Sequence, residues 1–390
     1  MSALCAQAVR APIYEEIIMT TTASYQPGLE GVVAAETRLS HVDGQSGELI
    51  IGGYALEEVA AKATAEQMAY LLWHDRLPDE AELAVFSQGL AEKRPLSPAT
   101  LSLLKAVAQE KAPVMDALRI GAGTLSLGLD AATSSELAEA IVARFPTIVA
   151  AYWRFLNGQE AIAPDADLNH AANYLYMLTG ERPSAAQVRG LETYLNTVSD
   201  HSLNASTFTA RVIVSTGSDL ASAITGAVGA LKGPLHGGAP GPALDMVFEI
   251  GSAENAEPYL RAKLERGDRL MGFGHRVYKV RDPRADVLGR AAASLYAADG
   301  DMALYELARA VEETAVSCWQ NTNQDAICKP MWSFYTALLL HGLGLSTALF
   351  TPTFAIGRVA GWLGHCFEQM ENGRLIRPSS RYVGEIGRQW

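Results

Sequence analysis

Residues 134–155 read SSELAEAIVARFPTIVAAYWRF, with apolar side chains at three- and four-residue spacing and polar residues at the start. That spacing lines one face of an α-helix, and a polar start is typical of a helix N-terminus. Glycine and proline separate this stretch from others like it, and strand candidates are few and short, chiefly Glu48–Gly52. The other stretches with the helical pattern are Ala81–Lys93, Pro98–Lys111, Ser184–Val198, Ala256–Arg266, Ala285–Ala298 and Asp301–Trp319. The sequence therefore predicts an all-α fold of many medium-length helices.

Composition narrows the class of protein. The 390 residues are 49% hydrophobic and 19% charged, which is enough apolar material for a large core and excludes an intrinsically disordered chain. The formal net charge of −12, with no run of Lys or Arg, argues against a nucleic-acid partner. No stretch reaches the roughly 18 apolar residues of a membrane span, and the N-terminus is a poor signal peptide. We expect residues 1–24 to be a loose extension and the protein to be cytoplasmic.

The cysteines give no sign of a metal site or a disulfide framework. Cys5, Cys318, Cys328 and Cys366 contain no CxxC pair and no paired metal-ligand spacing. Reduced thiols in a cytosolic protein fit this pattern better than either alternative. We therefore predict no metal ligands.

Three histidines stand in contexts that suit chemistry. His236 and His275 each lie in a glycine-flanked turn, LHGG and GFGHR, and His201 follows Asp200 at the end of a predicted helix. Glycine lets a backbone approach a ligand closely, and histidine can donate a hydrogen bond or move a proton near neutral pH. The ordinary alternatives are a satisfied core or surface histidine, and glycines that only let helices pack closely.

Arginines supply a second set of candidates, Arg284 in DPR, Arg358 in AIGR and Arg377 in IRPSS. The planar guanidinium binds a carboxylate through two hydrogen bonds, so a site for a dianionic acid would use two or three of them. Surface salt bridges are the alternative for a single arginine. Arg358 differs because it lies in the apolar stretch TPTFAIGRVAGWLG, where a buried charge needs a partner such as an anionic substrate.

Together these motifs resemble the citrate synthase family, in order and in spacing, from about Tyr25 to the C-terminus. The start of the shorter bacterial and archaeal members resembles residues 27–54. The matching segments are DHSLNASTFTARV (200–212), GPLHGGAPGPAL (233–244), MGFGHRVYKVRDPRA (271–285), SFYTALLL (333–340), FAIGRVAGWLGH (354–365) and RPSSRYVG (377–384).

The resemblance implies a homodimer of all-α subunits, each with a large and a small helical domain and an active site in the cleft between them. Carried to this chain, residues 25–234 and 341–390 would form the large domain and residues 235–340 the small one. The implied reaction condenses oxaloacetate with acetyl-CoA or propionyl-CoA to citrate or 2-methylcitrate. No cofactor would be tightly bound, since acetyl-CoA is a co-substrate.

The resemblance also assigns roles to individual residues. His236 would stabilise the enolate of the thioester, and His275 would donate to the oxaloacetate carbonyl. The oxaloacetate carboxylates would be held by His201, Arg284, Arg358 and Arg377, the last reaching across from the other subunit. The coenzyme A strip would comprise Leu235, Gly237, Leu270, Met271, Gly272, Phe273, Gly274 and, more weakly, Lys279.

Two positions depart from the family pattern. Ser333 stands where the family pattern NVDFY has the aspartate that takes the methyl proton, and Ser202 replaces the glutamate of DHELN. A neutral hydroxyl cannot take that proton unaided, and a general base contributes about 10²–10⁴ in rate. Asp325 or an ordered water could substitute for it. The alternatives are a paralogue that binds oxaloacetate and CoA without condensing them, and a hydrolase or lyase acting on a citryl-type thioester.

Overall fold

The computed structural model describes residues 25–129, 133–236, 240–268, 270, 272–273, 278, 280–299, 301–322 and 332–390. Over these residues the protein is mostly helical, which confirms the all-α prediction. The helices are α1 (Leu56–Val59), α2 (Ala65–His74), α3 (Glu80–Lys93), α4 (Pro98–Gln109), α5 (Val114–Ala122), α6 (Ser134–Leu156), α7 (His170–Thr179), α8 (Ala185–Thr197), α9 (Ala205–Val214), α10 (Leu220–Leu231), α11 (Pro240–Ile250), α12 (Ala253–Glu265), α13 (Pro283–Asp299), α14 (Met302–Thr322), α15 (Trp332–Gly342) and α16 (Phe350–Asn372).

Helix starts follow from local sequence. Helices α2, α3, α6 and α8 each begin with a capping box, in which the N-cap side chain and the third helical residue satisfy each other's backbone N–H groups. Their N-caps are Thr64, Asp79, Thr133 and Ser184. All seven helices predicted from the sequence are confirmed, with bounds that differ by at most a few residues.

Residues 134–155, whose apolar pattern predicts a helix, lie at the centre of the core. Helix α6 is buried almost continuously from Val142 to Tyr152 and packs against α3, α4, α5, α7 and α16. A helix that is apolar on all sides belongs in the interior of a large protein, which explains why its neighbours surround it.

The predicted strand Glu48–Gly52 is confirmed as the centre of a small antiparallel sheet. Strands β1 (Ser40–Asp43), β2 (Glu48–Ile51) and β3 (Tyr54–Ala55) pair in that order, with Ser40 opposite Ile51. The sheet places the buried Ser40 hydroxyl beside Asp200.

Glycines on one side of α16 bring that helix against the end of α8. A Cβ at Gly357 would lie 2.9 Å from the Leu195 carbonyl oxygen, and one at Gly361 would overlap the Ser199 carbonyl oxygen. Without side chains at these two positions, the backbone of α16 can lie directly on residues 195–200. This close approach places Arg358 beside the segment that leads to His201.

The chain divides into two compact units. Residues 37–376 form the first, and residues 25–36 with 377–390 form the described part of the second. In the second unit the Arg381 guanidinium lies 5.6 Å from the centre of the Tyr25 ring. The boundaries of a large and a small domain at residues 234 and 341 stay a prediction.

Within the described ranges no single helix is long and apolar enough to cross a membrane. The bent pair Trp332–Gly342 and Thr347–Asn372 qualifies only when both members are combined, and it turns by 119° at its break.

Candidate active site

A buried polar network lies directly beneath His201. The Ser40 hydroxyl donates to Asp200 Oδ2 at 2.5 Å, and His365 Nε2 lies 3.2 Å from Asp200 Oδ1. Arg211 Nη1, which can only donate, lies 3.1 Å from His365 Nδ1, so the proton of a neutral His365 is on Nε2 and faces Asp200. Although burial raises the pKa of Asp200, His365 lowers it below its usual value, with smaller contributions from Arg358 and Ser40. Asp200 is therefore an ionised anchor for the residue that follows it, held by hydrogen bonds to Oδ2, while Oδ1 lacks a hydrogen-bond partner among the described residues.

The turn after His201 has a left-handed backbone. Ser202 has φ of 53°, and its N–H donates to the Ser40 hydroxyl oxygen at 2.6 Å. Two residues later Asn204 caps α9 by accepting from the Thr207 N–H at 3.1 Å. The strained turn and the cap together fix the direction in which His201 leaves the network.

His201 contacts a residue that the sequence did not single out. Its Nε2 lies 3.2 Å from the Tyr278 hydroxyl, and the two rings meet edge to face at 5.9 Å. Burial raises the pKa of Tyr278 above its usual value, so the hydroxyl stays protonated and can donate.

His236 is held by Ser206, which the sequence analysis also missed. Its Nε2 lies 2.8 Å from the Ser206 hydroxyl, which accepts from Trp362 Nε1 at 3.0 Å and donates to Asn204 Oδ1 at 2.8 Å. Burial first, and then the charge of Arg358, lower the pKa of His236 to about 4. The imidazole is therefore neutral near pH 7 and polarised by a nearby cation.

Arg358 is almost completely buried, at 2% exposure, although a charged side chain is unusual in the interior of a protein. Its Nε donates to the Val198 carbonyl oxygen at 2.6 Å, and the guanidinium lies 4.8 Å from the Phe354 ring centre. In the described part of the chain its two terminal nitrogens have no hydrogen-bond partner. Burial, with a smaller contribution from the charge of Arg284, lowers its pKa to about 10, although Asp200 opposes the change. A carboxylate ligand would supply the missing acceptors.

Arg284 is the second buried guanidinium, at 3% exposure. Its Nε and Nη2 donate to the two carboxylate oxygens of Asp282, at 3.0 and 2.7 Å. Its Cζ lies 4.9 Å from the Trp332 ring centre and 5.6 Å from that of Tyr278. Two buried cations that repel each other form a cradle for an anion with more than one charge.

Ser333 is at 0% exposure in the first turn of α15, and its hydroxyl has no hydrogen-bond partner among the described residues. The residues predicted to contact coenzyme A lie partly against the same helix. Phe273 is 5.5 Å from Phe334 between ring centres, and a Cβ at Gly272, where φ is 86°, would lie 3.2 Å from Phe334 Cβ. Leu270 is buried, and Leu235 is fully exposed.

The structure brings together His201, His236, Arg284, Arg358 and Ser333 through shared neighbours in one region of the first unit. Arg377 belongs to the second unit. The remaining predicted site residues lie outside the described residues: His275, Gly237, Met271, Gly274 and Lys279.

Comparison with known proteins gives one consistent result. Residues 28–379 match the family model described as "Citrate synthase, C-terminal domain". Citrate synthase of Haloferax volcanii is 41% identical over 368 residues, which is 92% of this chain and 95% of that protein. 2-Methylcitrate synthase of Shewanella oneidensis is 37% identical, over 92% of this chain and 94% of that protein.

A solved structure is similar over the same range. The ternary complex of citrate synthase from the thermophilic archaeon Thermoplasma acidophilum with carboxymethyl coenzyme A and oxaloacetate superposes with a TM-score of 0.84. It is 29% identical, and the match covers 94% of this chain and 98% of that one.

Proposed function

The chain belongs to the citrate synthase family, and on that premise we propose that it is an acyltransferase that condenses oxaloacetate with acetyl-CoA, or with propionyl-CoA, to give citrate, or 2-methylcitrate, and CoA. The observation that carries the proposal is the pair of buried guanidinium groups, Arg284 and Arg358, beside a neutral His236. No tightly bound cofactor takes part, and CoA enters and leaves as part of the co-substrate.

Oxaloacetate binding is assigned to the two buried arginines, Arg284 and Arg358. Among the described residues, the two terminal nitrogens of Arg358 have no hydrogen-bond partner, and the charge of Arg284 repels that of Arg358. A bound dicarboxylate would supply acceptors for these nitrogens and reduce the repulsion between the two arginines. His201, oriented by the Asp200 network and Tyr278, adds a hydrogen bond. We propose a cytoplasmic homodimer in which Arg377 reaches the site of the other subunit.

His236 has the properties that an enolate requires. Ser206 holds the ring through Nε2, and when the Ser206 hydroxyl turns its proton from Asn204 Oδ1 to that Nε2, the single proton of the neutral ring lies on Nδ1. In that tautomer His236 is a neutral donor that stabilises the developing oxyanion of a thioester enolate. A carbon–carbon bond then forms between the α-carbon of the enolate, which is the former methyl carbon of acetyl-CoA, and the ketone carbon of oxaloacetate, while His275 donates to the ketone oxygen. Water finally attacks the thioester, the carbon–sulfur bond breaks, and the thiol takes the proton.

The coenzyme A strip is proposed along Leu235–Gly237 and Leu270–Gly274, with Lys279 near a phosphate. The backbone at Gly272 supports this, because its φ of 86° favours glycine and a Cβ there would lie 3.2 Å from Phe334 Cβ. Closure of a small domain over a large one would exclude water from the enolate.

We propose, from the resemblance of residues 331–335 to NVDFY, that Ser333 stands at the position of the family's base. Taking the methyl proton requires a base, and a buried hydroxyl without a hydrogen-bond acceptor is not one. The same observation favours a second candidate function, a degenerate paralogue that binds oxaloacetate and CoA without condensation, or a hydrolase or lyase of a citryl-type thioester. In these cases no methyl proton has to be removed.

Thiol release from acetyl-CoA, measured with and without oxaloacetate and with citrate identified by mass, tests the proposal. Oxaloacetate-dependent release with formation of citrate supports condensation. Oxaloacetate binding without citrate formation, combined with turnover of citryl-CoA, supports the second candidate instead.

The variant Ser333→Asp separates these outcomes, with Ser333→Asn as a control of the same shape that cannot act as a base. We expect Ser333→Asp to raise citrate formation at least about tenfold, which is below the full 10²–10⁴ of a general base because Trp332 crowds the new carboxylate. An equal rate in both variants, with oxaloacetate binding preserved, would contradict condensation as the function.

A further inference from the structure

Two aromatic rings connect the two buried arginines. The Trp332 ring centre lies 4.9 Å from Arg284 Cζ, and the Phe354 ring centre lies 4.8 Å from Arg358 Cζ. The two rings lie 5.6 Å apart with an interplanar angle of 38°. Arg284, Trp332, Phe354 and Arg358 therefore form one continuous stack, called here the arginine–aromatic stack.

The stack uses the faces of the guanidinium groups and leaves their edges available. An aromatic face carries partial negative charge and attracts a cation placed over it. The N–H groups of arginine lie in the plane of the guanidinium, so stacking fixes that plane while the N–H groups remain directed outward. For Arg358 those outward nitrogens are the ones without a partner in the described chain.

The stack also offsets repulsion between the arginines. Both are at most 3% exposed, and the charge of Arg284 contributes to lowering the pKa of Arg358. Arg284 is additionally held by Asp282, whereas Arg358 has only the Val198 carbonyl oxygen and the Phe354 ring. Trp332 contacts both the Arg284 guanidinium and the Phe354 ring, so it links the positions of the two cations.

Trp332 departs from the pattern that the resemblance implies for this segment. It occupies the place of valine in NVDFY, immediately before Ser333, and it is half-buried at the start of α15. A valine has no aromatic face to stack on a guanidinium.

We propose that Trp332 is a positioning residue that fixes the spacing and orientation of Arg284 and Arg358, and thereby makes the site selective for short dicarboxylates over monocarboxylates. This inference rests on the proposed function in placing the ligand carboxylates at these arginines. A ligand with two carboxylates depends on both guanidinium groups being correctly placed, whereas a monocarboxylate needs only one.

Calorimetric titration with oxaloacetate and with pyruvate, a 2-oxo acid with one carboxylate, tests the inference. We expect Trp332→Leu to weaken oxaloacetate binding by about 3- to 30-fold, the range of a lost cation–π contact at a desolvated site, and pyruvate binding by less than about threefold. Trp332→Phe, which keeps an aromatic face, should retain most of the selectivity. Trp153→Leu, a half-buried tryptophan on α6 outside this region, is the matched control and should leave the ratio of the two affinities unchanged.

The outcomes distinguish the inference from the proposed function. Suppose that the wild-type protein binds oxaloacetate. If Trp332→Leu then has wild-type affinity for both ligands, or loses affinity for both by the same factor, the inference is wrong and the proposed function stands. If the wild-type protein binds neither acid at millimolar concentration, the assignment of the cradle is wrong and the inference falls with it. Should Trp332→Leu not fold, an equal loss of both affinities in Trp332→Phe would overturn the inference on its own.

Discussion

Replacement of Arg358 by methionine should remove ligand binding while leaving the free protein nearly as stable as before. Methionine has a similar length and no charge, and it fits the apolar surroundings of α16. Removal of a buried charged partner ordinarily costs about 3–5 kcal/mol, because another charge is left uncompensated. Arg358 should behave differently because its own charge is poorly compensated in the free protein.

The magnitude follows from the contacts of Arg358. A pKa lowered from 12.5 to about 10 means that the fold disfavours the charged form by about 3 kcal/mol, at 1.36 kcal/mol per unit. Against this, the Val198 carbonyl oxygen loses its donor, which costs about 1–3 kcal/mol, and the contact with Phe354 contributes about 1 kcal/mol. The two sides nearly cancel, so we expect the free energy of unfolding to change by less than about 2 kcal/mol.

Urea denaturation with and without saturating oxaloacetate measures both effects. The wild type should gain stability from the ligand, and Arg358→Met should gain none, since binding weakens by about 2 kcal/mol or more when a desolvated carboxylate loses a charged partner. The matched control is Arg211→Met. Arg211 is equally buried but fully paired, with Glu368 at 2.9 Å and Gln369 at 3.1 Å, so its loss should cost the ordinary 3–5 kcal/mol.

Two results would refute this reasoning. A loss of more than about 3 kcal/mol in ligand-free Arg358→Met, similar to that in Arg211→Met, would mean that Arg358 is a structural partner of Asp200. A ligand-induced gain equal to that of the wild type would mean that Arg358 does not contact the ligand.

Further predictions concern three other positions. Gly361→Ala should lower the melting temperature and weaken oxaloacetate binding together, because its Cβ would overlap the Ser199 carbonyl oxygen and lie 2.9 Å from Asp200 Oδ1; unchanged binding would contradict the role of this close contact. Burial raises the pKa of Glu192 from 4.5 to about 7, so its folded form keeps a proton that the unfolded form loses, and its stabilising contribution disappears as pH rises from 4.5 to 7. Glu192→Gln should therefore gain about 1–2 kcal/mol over the wild type at pH 8 and nothing at pH 4, in urea titrations at both values. Ser202→Gly should raise the free energy of unfolding by about 0.5–1 kcal/mol, since φ of 53° strains any side chain, and a decrease would show that the Ser202 side chain has a structural role.

The helices that sequence predicts well are those with local signals. Helix α6 has a continuous apolar pattern and a capping box at Thr133, and its predicted and observed ends differ by one residue. Both signals act within a few residues along the chain, so no knowledge of the tertiary structure is needed to interpret them.

Helix α16 is a helix that local sequence signals do not predict. Its 23 residues include Gly357, Gly361 and Gly364, which a sequence pattern treats as breaks. These glycines are explained by tertiary structure, because they allow α16 to contact the end of α8 and Leu39. Single-sequence reasoning has no access to a contact such as that between Arg358 Nε and the Val198 carbonyl oxygen, which are 160 residues apart.

The candidate site divides in the same way. Histidines and arginines in glycine-containing motifs could be found from their chemistry, whereas Ser206, Tyr278 and Trp362 carried no signal, since serine and aromatic residues are ordinary in a helical core. Ser206 is part of the site because its hydroxyl contacts His236 Nε2 and Trp362 Nε1. These atoms come together only in the folded chain.

Binding and chemistry depend on different parts of this fold, which explains how one can change without the other. The segment that leads to His201 is tied to the core through Asp200, His365 and the close contact of α16, so a change in that segment would also cost stability. Position 333 is one side chain on α15, and the buried serine there leaves one hydroxyl without a hydrogen-bond partner among the described residues. A buried carboxylate at the same place would need several kcal/mol of compensating interactions. Stability therefore favours serine over a carboxylate at position 333 and keeps the segment of His201 in place, whereas Arg358 depends on ligand binding rather than on stability.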